Sequence, residues 1–242
     1  MSEMMLILLF LVALFYSSVG HGGASGYIAV LTILGVSTAL VKPSALLLNI
    51  FVAGIAFYQY YRKGYFRWRL FYPFAVLSVP MAYLGSFVVL DETWYKRILG
   101  ICLVLATARI IGVFNPKKEV LIRKMPVPMG IVIGAALGFV SGMIGIGGGI
   151  ILSPVIVLFG WGSLKETSAV SALFIVVNSI AGILGLLKQK IIWSPQILLW
   201  LLVAIAGGFI GSYVGSYKSS NTTLKNILAA VLFVASIKLI FI

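Results

Sequence analysis

Two runs of glycine interrupt an otherwise apolar chain: Gly20-His21-Gly22-Gly23-Ala24-Ser25-Gly26 and Gly145-Ile146-Gly147-Gly148-Gly149. Glycine inside a helix costs roughly 1 kcal/mol against alanine. In lipid, a broken backbone also strands amide groups unless protein or a wet cavity covers them. A short apolar segment follows each run, so each marks a place where a helix restarts. A helix start presents unpaired N–H groups and about half a positive charge. Glycine lets an anion approach that backbone closely. Two such starts facing one cavity would hold a small oxyanion near mid-membrane without a fixed cation, which suits release as well as binding. The backbone candidates are Gly20, Gly22, Gly23, Gly145, Gly147, Gly148 and Gly149. Close helix packing by small residues is the alternative use of either run alone.

Side chains near the runs add to this chemistry. Asn49 and Asn178 lie inside apolar helices, where polar groups face a bundle interior or a wet cavity. Their amides could donate to substrate oxygens or bond between helices. His21 sits within the first run and could bind substrate, carry a proton or act as a structural donor; its counterpart in the second run is Ile146. Ser25 and Ser171 are further hydroxyl candidates, with Thr167 and Ser168 beside them. Serine in a helix often bonds its own backbone instead. Glu166, near a helix start, reads as a cap.

Absences narrow the chemistry further. No carboxylate lies deep in an apolar segment, which argues against a proton relay built on Asp or Glu. Cys102 and His21 are the only residues of their types, so disulfides within the chain and multi-histidine or cysteine metal sites are excluded. No phosphate-binding GxxxxGK[ST] loop or His-Glu-x-x-His pair is present. The chain is read as a non-enzyme without a cofactor.

The elements that must position these groups follow from the apolar runs. Residues 4–16 and 27–34 form one broken element around the first glycine run. Residues 42–61 follow, with Pro43 expected at the helix start. Residues 70–90 and 98–114 are two further spans. Residues 130–143 and 150–159 make the second broken element, then come 165–187, 195–217 and 224–242. A span needs about 20 apolar residues, so the reading is roughly eight membrane segments. The expected fold is an all-α integral membrane protein. Glu3, and the lack of a cleavage site after the first apolar run, make that run a retained membrane segment rather than a signal peptide.

The halves match when displaced by about 125 residues. Gly20, Gly22 and Gly23 fall on Gly145, Gly147 and Gly148. Gly35 falls on Gly160, and Trp68 on Trp193. Arg109 and Lys238 also occupy matched places, as residues that snorkel to the interface. Asn49 pairs with Asn178 only after a shift of about one helical turn. The expected organisation is a first repeat at 1–114, a basic linker at 115–128 and a second repeat at 129–242. Transporters built from repeats place the substrate between them, on discontinuous helices. Lys and Arg in the loops do not decide between parallel and inverted repeats. Inversion is favoured because each broken element is too long for one straight span. It also sets both glycine runs at similar depth.

Composition agrees with this class. Of 242 residues, 62% are hydrophobic and 10% charged, against about a quarter charged in soluble domains. The net charge of +13 sits in short loops, as cytoplasmic loops of membrane proteins require. No nucleic-acid motif accompanies it. The expected partners are a small anionic substrate and the lipid bilayer, with a homodimer admitted.

Gly145-Ile146-Gly147-Gly148-Gly149, then Pro154, Gly160, Ser171-Ala172 and Asn178-Ser179, resembles the TauE/SafE sulfite exporter family. Gly20-His21-Gly22-Gly23 with Pro43 and Asn49 is similar to that family's first half. The resemblance covers essentially the whole chain. It implies a bacterial plasma-membrane protein with a sulfite or organosulfonate substrate; export by alternating access, one repeat rocking against the other, is the expected mechanism. His21, and Ala24 where the second run has Gly149, depart from the stronger motif. A proton- or sodium-coupled importer of a similar anion is the alternative, and a membrane subunit without transport of its own is a third class.

Overall fold

A computed structural model describes residues 3–88, 122–188, 194–220 and, beyond these, 222–224, 226, 227, 229, 230 and 233. The described residues are helical, with no strand. In chain order they form α1 (Glu3–Ser18), α2 (Ala24–Ile33), α3 (Thr38–Arg62), α4 (Trp68–Gly85), α5 (Val127–Ile144), α6 (Gly149–Phe159), α7 (Leu164–Leu187) and α8 (Gln196–Tyr213). A π-helical turn, Val214–Lys218, continues α8. Four helices among the described residues are long and apolar enough to cross a membrane: Ala39–Arg62, Val127–Ile144, Leu164–Leu187 and Gln196–Lys218. The expected spans at 98–114 and, for the most part, 224–242, with Arg109, Trp193 and Lys238, lie outside the described residues.

Both expected breaks are present, and their glycines explain how they form. Gly20 (φ +76°) ends α1, and Gly145 (φ +84°) ends α5. Gly23 (φ +97°) and Gly148 (φ +72°) are the N-caps of α2 and α6. A side chain at such left-handed angles is costly, so glycine is the residue that permits the turn. Gly35 and Gly160, matched in sequence, share positive φ as well.

One helix start differs from expectation. Pro43 does not open α3; the helix begins at Thr38 with Ser37 as N-cap, leaving Pro43 in its second turn. Leu40 and Val41 donate to the Ser37 carbonyl at 2.9 and 3.2 Å. These bonds close a turn ahead of the proline, which removes only its own donor from the ladder.

Two seams of small residues hold the bundle. A Cβ added at Gly134, Gly138 or Gly142 of α5 would collide with the backbone carbonyl of Phe74, Ser78 or Ala82 of α4. Likewise Gly207, Gly211 and Gly215 press on the carbonyls of Phe10, Leu14 and Ser18. Four-residue spacing puts each set on one helix face, which brings the backbones close without a large side chain between them. Outside the seams the apolar surface faces outward: Met4, Ile7, Leu11 and Phe15 of α1 are exposed, while Met5, Leu9 and Ala13 are buried. Such a stripe suits lipid and would be a liability in water.

Residue pairing also gives helix directions. The pairs 10–207, 14–211 and 18–215 rise together, so α1 and α8 run parallel. The pairs 74–134, 78–138 and 82–142 do the same for α4 and α5. Val52 meets Gly208 and Lys63 covers Tyr217, so α3 runs with α8. Arg67 meets Glu166 and Ser86 meets Gly185, so α4 runs with α7. The pairs Leu46–Gly182 and Tyr65–Lys165 run in opposite senses, which makes α3 and α7 antiparallel. Hence α1, α3 and α8 point one way, and α4, α5 and α7 the other.

Candidate anion site

The two breaks meet. Asn49, near the middle of the 25-residue α3, is 1% exposed and bonds to both. Its Oδ1 accepts from the Ala24 amide at 3.0 Å, the first residue of α2. Its Nδ2 donates to the Ile146 carbonyl at 3.2 Å, within the second break. Gly22 packs on the same carboxamide, which a Cβ at that position would strike.

His21 makes the second link. Its Nε2 lies 3.1 Å from the Gly149 carbonyl and 2.8 Å from Ser153 Oγ, and Ser153 donates onward to Ser171 Oγ at 2.8 Å. Ser25 bonds Tyr16 OH at 3.0 Å. Thus Gly22, His21, Ser25, Asn49, Gly149 and Ser171 are gathered from α1–α3 and α6–α7. The amides of Gly149 and Ile150, at the start of α6, have no acceptor among the described residues. They are the uncommitted donors that a helix start supplies.

The remaining expected residues divide. Gly147 (φ +73°) sits within van der Waals reach of Asn49, Ile175 and Ser179. Gly20 packs against the Ser168 backbone, and Gly145 against the Lys42 side chain. Asn178 is buried but does not join the breaks: its Nδ2 donates to the Phe174 carbonyl of its own helix at 2.8 Å. Ser168 likewise bonds the Leu164 carbonyl of its own helix at 2.9 Å. Glu166 is a cap, as its position indicated: Ser163 Oγ accepts from the Glu166 amide at 3.3 Å, and Glu166 Oε2 accepts from the Ser163 amide at 2.9 Å. It also pairs with Arg67 at 2.7 Å.

Several polar groups at the breaks were not among the site residues expected from sequence. The buried Tyr27 hydroxyl lies beside Gly23, Ser179 Oγ beside Gly147, and Ser141 beside Gly148; none of the three hydroxyls has a partner among the described residues. Buried groups of this kind are normally bonded, and here they surround backbone that is itself under-satisfied. Lys42 Nζ donates to the Met143 carbonyl at 2.9 Å, near the end of α5. The sequence signal was faint, since a lone serine, tyrosine or lysine does not disclose a neighbour in the other half of the chain. A small cavity of about 10 Å³ lies between the breaks, walled by Tyr16, His21–Ser25, Ile146, Ile150 and Ile175. That is about the room one water needs.

Broken apolar helices enclosing a polar centre define a multi-pass membrane protein. The chain matches the family described as Sulfite exporter TauE/SafE over residues 5–239 and belongs to that family. Its class is therefore membrane transporter rather than enzyme. It is 38% identical over 241 residues to a probable membrane transporter protein of Sinorhizobium fredii, covering 97% of this chain and 96% of that one. It is 25% identical over 139 residues to a probable membrane transporter protein of Methanocaldococcus jannaschii, covering 56% of this chain and 51% of that one. No solved structure matches.

Proposed function

We propose that the protein exports a small sulfur-containing anion, sulfite or an organosulfonate, from the cytoplasm of a bacterial cell through the site between its two glycine breaks. One observation carries the reading: Asn49 bonds the first amide of α2 and the Ile146 carbonyl of the second break at once, so the two breaks meet at one centre. Oxyanion oxygens would take the free amides of α6 and the hydroxyls of Tyr27, Ser141 and Ser179. The family's description supports sulfite as the substrate.

The mechanism is alternating access between two inverted halves, 1–114 and 129–242. The opposed directions of α3 and α7, of α1 and α5, and of α4 and α8 support the inversion, as do the matched positive-φ glycines. A sulfite ion, with four heavy atoms, exceeds a one-water cavity, so the halves must part for it to enter or leave. Expulsion of an anion from a negative interior gains about 2.3 kcal/mol per charge at 100 mV. No coupling ion is needed.

Flux of sulfite from liposomes containing the purified protein tests this. Efflux should follow an imposed potential and ignore sodium and proton gradients. Flux that tracks a cation gradient would replace export with coupled import. No flux of any sulfur anion would remove the transport reading of this site.

A further inference from the structure

Resting on the site proposed above, we propose that His21 selects the cargo by its hydrogen: the anion carried is a singly charged sulfur oxyanion bearing an O–H group, which it donates to His21 Nδ1.

The ring's two nitrogens have distinct duties. Nε2 faces the Gly149 carbonyl, which can only accept, so Nε2 carries a hydrogen. Ser153 gives its own proton to Ser171 and therefore also accepts from His21. These two contacts set the tautomer. Nδ1 is buried and has no partner among the described residues. In the neutral ring it is a lone pair in need of a donor. An imidazolium would lack a compensating carboxylate: of the described acids, Glu3 begins α1 and Glu166 is paired with Arg67.

His21 stands in the cavity wall together with Gly22, Gly23 and Ile146. An oxyanion with acceptors alone would set lone pair against lone pair at Nδ1. One with an O–H would satisfy it, leaving its other oxygens for the amides of Gly149 and Ile150. The matched residue in the second break is Ile146, so the ring acceptor belongs to the first break alone. A buried group built to pair with a substrate hydroxyl discriminates strongly against the analogue lacking it. Hydrogen sulfite in its O–H form and hydroxylated sulfonates meet the requirement.

The test is equilibrium binding to the purified full-length protein at one fixed pH, with sulfite, hydroxymethanesulfonate and ethanesulfonate. The two sulfonates have the same charge and nearly the same size, and differ by O–H against CH3. Wild type should bind hydroxymethanesulfonate at least about tenfold more tightly than ethanesulfonate. His21→Gln, whose amide can still donate to Gly149, should lose that preference. Sulfite binding with no preference between the sulfonates in wild type, or a preference that survives in His21→Gln, would overturn the inference and leave the proposed function standing. Should His21→Gln not fold, the wild-type ratio decides alone. No binding of any of the three anions would overturn the proposed function itself.

Discussion

At the first break α1 ends on three backbone bonds: the Val19 and His21 amides to the Tyr16 carbonyl at 3.2 and 2.9 Å, and the Gly20 amide to the Ser17 carbonyl at 3.0 Å. At the second, α5 ends on a single bond from the Gly145 amide to the Ser141 carbonyl at 2.8 Å. Gly20 lies on the backbone of Ser168 in α7, whereas Gly145 lies on the Lys42 side chain, with Cγ 2.7 Å from where a Cβ would stand. The first break also contributes His21; the second contributes backbone and Ile146. Glycines matched in sequence and in positive φ thus form unequal breaks. One break is pinned to a neighbouring backbone and carries His21. The other rests on the Lys42 side chain and supplies amides.

The sharpest way to break this contrast is a pair of substitutions. Gly20→Ala combines a left-handed backbone, roughly 1–2 kcal/mol, with overlap against a backbone that cannot step aside, and should cost about 2–5 kcal/mol in all. Gly145→Ala shares the backbone penalty and must also shift the Lys42 stem and its bond to the Met143 carbonyl, but meets no backbone, so about 2–3 kcal/mol is expected. Thermal unfolding of the two proteins in detergent measures the difference. Equal losses would mean the breaks are mechanically alike.

The two asparagines give the next comparison. Asn49→Ala leaves the Ala24 amide and the Ile146 carbonyl buried without their partner, for about 2–4 kcal/mol. It should also abolish anion flux. Asn178→Ala removes a bond to a carbonyl within the same helix, and should cost no more than about 1.5 kcal/mol and leave flux intact. Flux lost in Asn178→Ala would return that residue to the site. Smallest of all is Arg67→Ala. The Arg67 side chain is 63% exposed, so its pair with Glu166 is worth about 1 kcal/mol or less. The Ser163–Glu166 capping box should persist, which a melting temperature within a few degrees of wild type would verify.

Glycine type alone made the breaks legible in the sequence. Residues at 20, 23, 145 and 148 adopt angles that only glycine takes readily, so the residue and the conformation are nearly one statement. Apolar runs placed α1, α2 and α5–α7 within a few residues for the same reason: in lipid a helix must last as long as the apolar stretch. Pro43 misled because proline suits both a first turn and, in a membrane helix, a later one; only the Ser37 bonds to Leu40 and Val41 distinguish them. The site was legible as a place but not as a network. That His21 would reach Gly149 and Ser153, some 130 residues away, follows from how α1–α3 dock on α6–α7. No local pattern encodes that docking. Asn178, like Asn49, is singled out by its polarity inside an apolar helix, which does not say where its amide bonds. A helix interior offers an amide its own i−4 carbonyl, and Asn178 uses it.

The central claim, one anion held jointly by both breaks, is tested most directly by calorimetric titration of the purified protein with sulfite. Wild type should bind one anion per chain. Gly22→Ala, which displaces Asn49 from the first break, and Gly147→Ala, which crowds Asn49 from the second, should each abolish the whole of that binding. Two anions per chain, or unaltered binding in either variant, would contradict it.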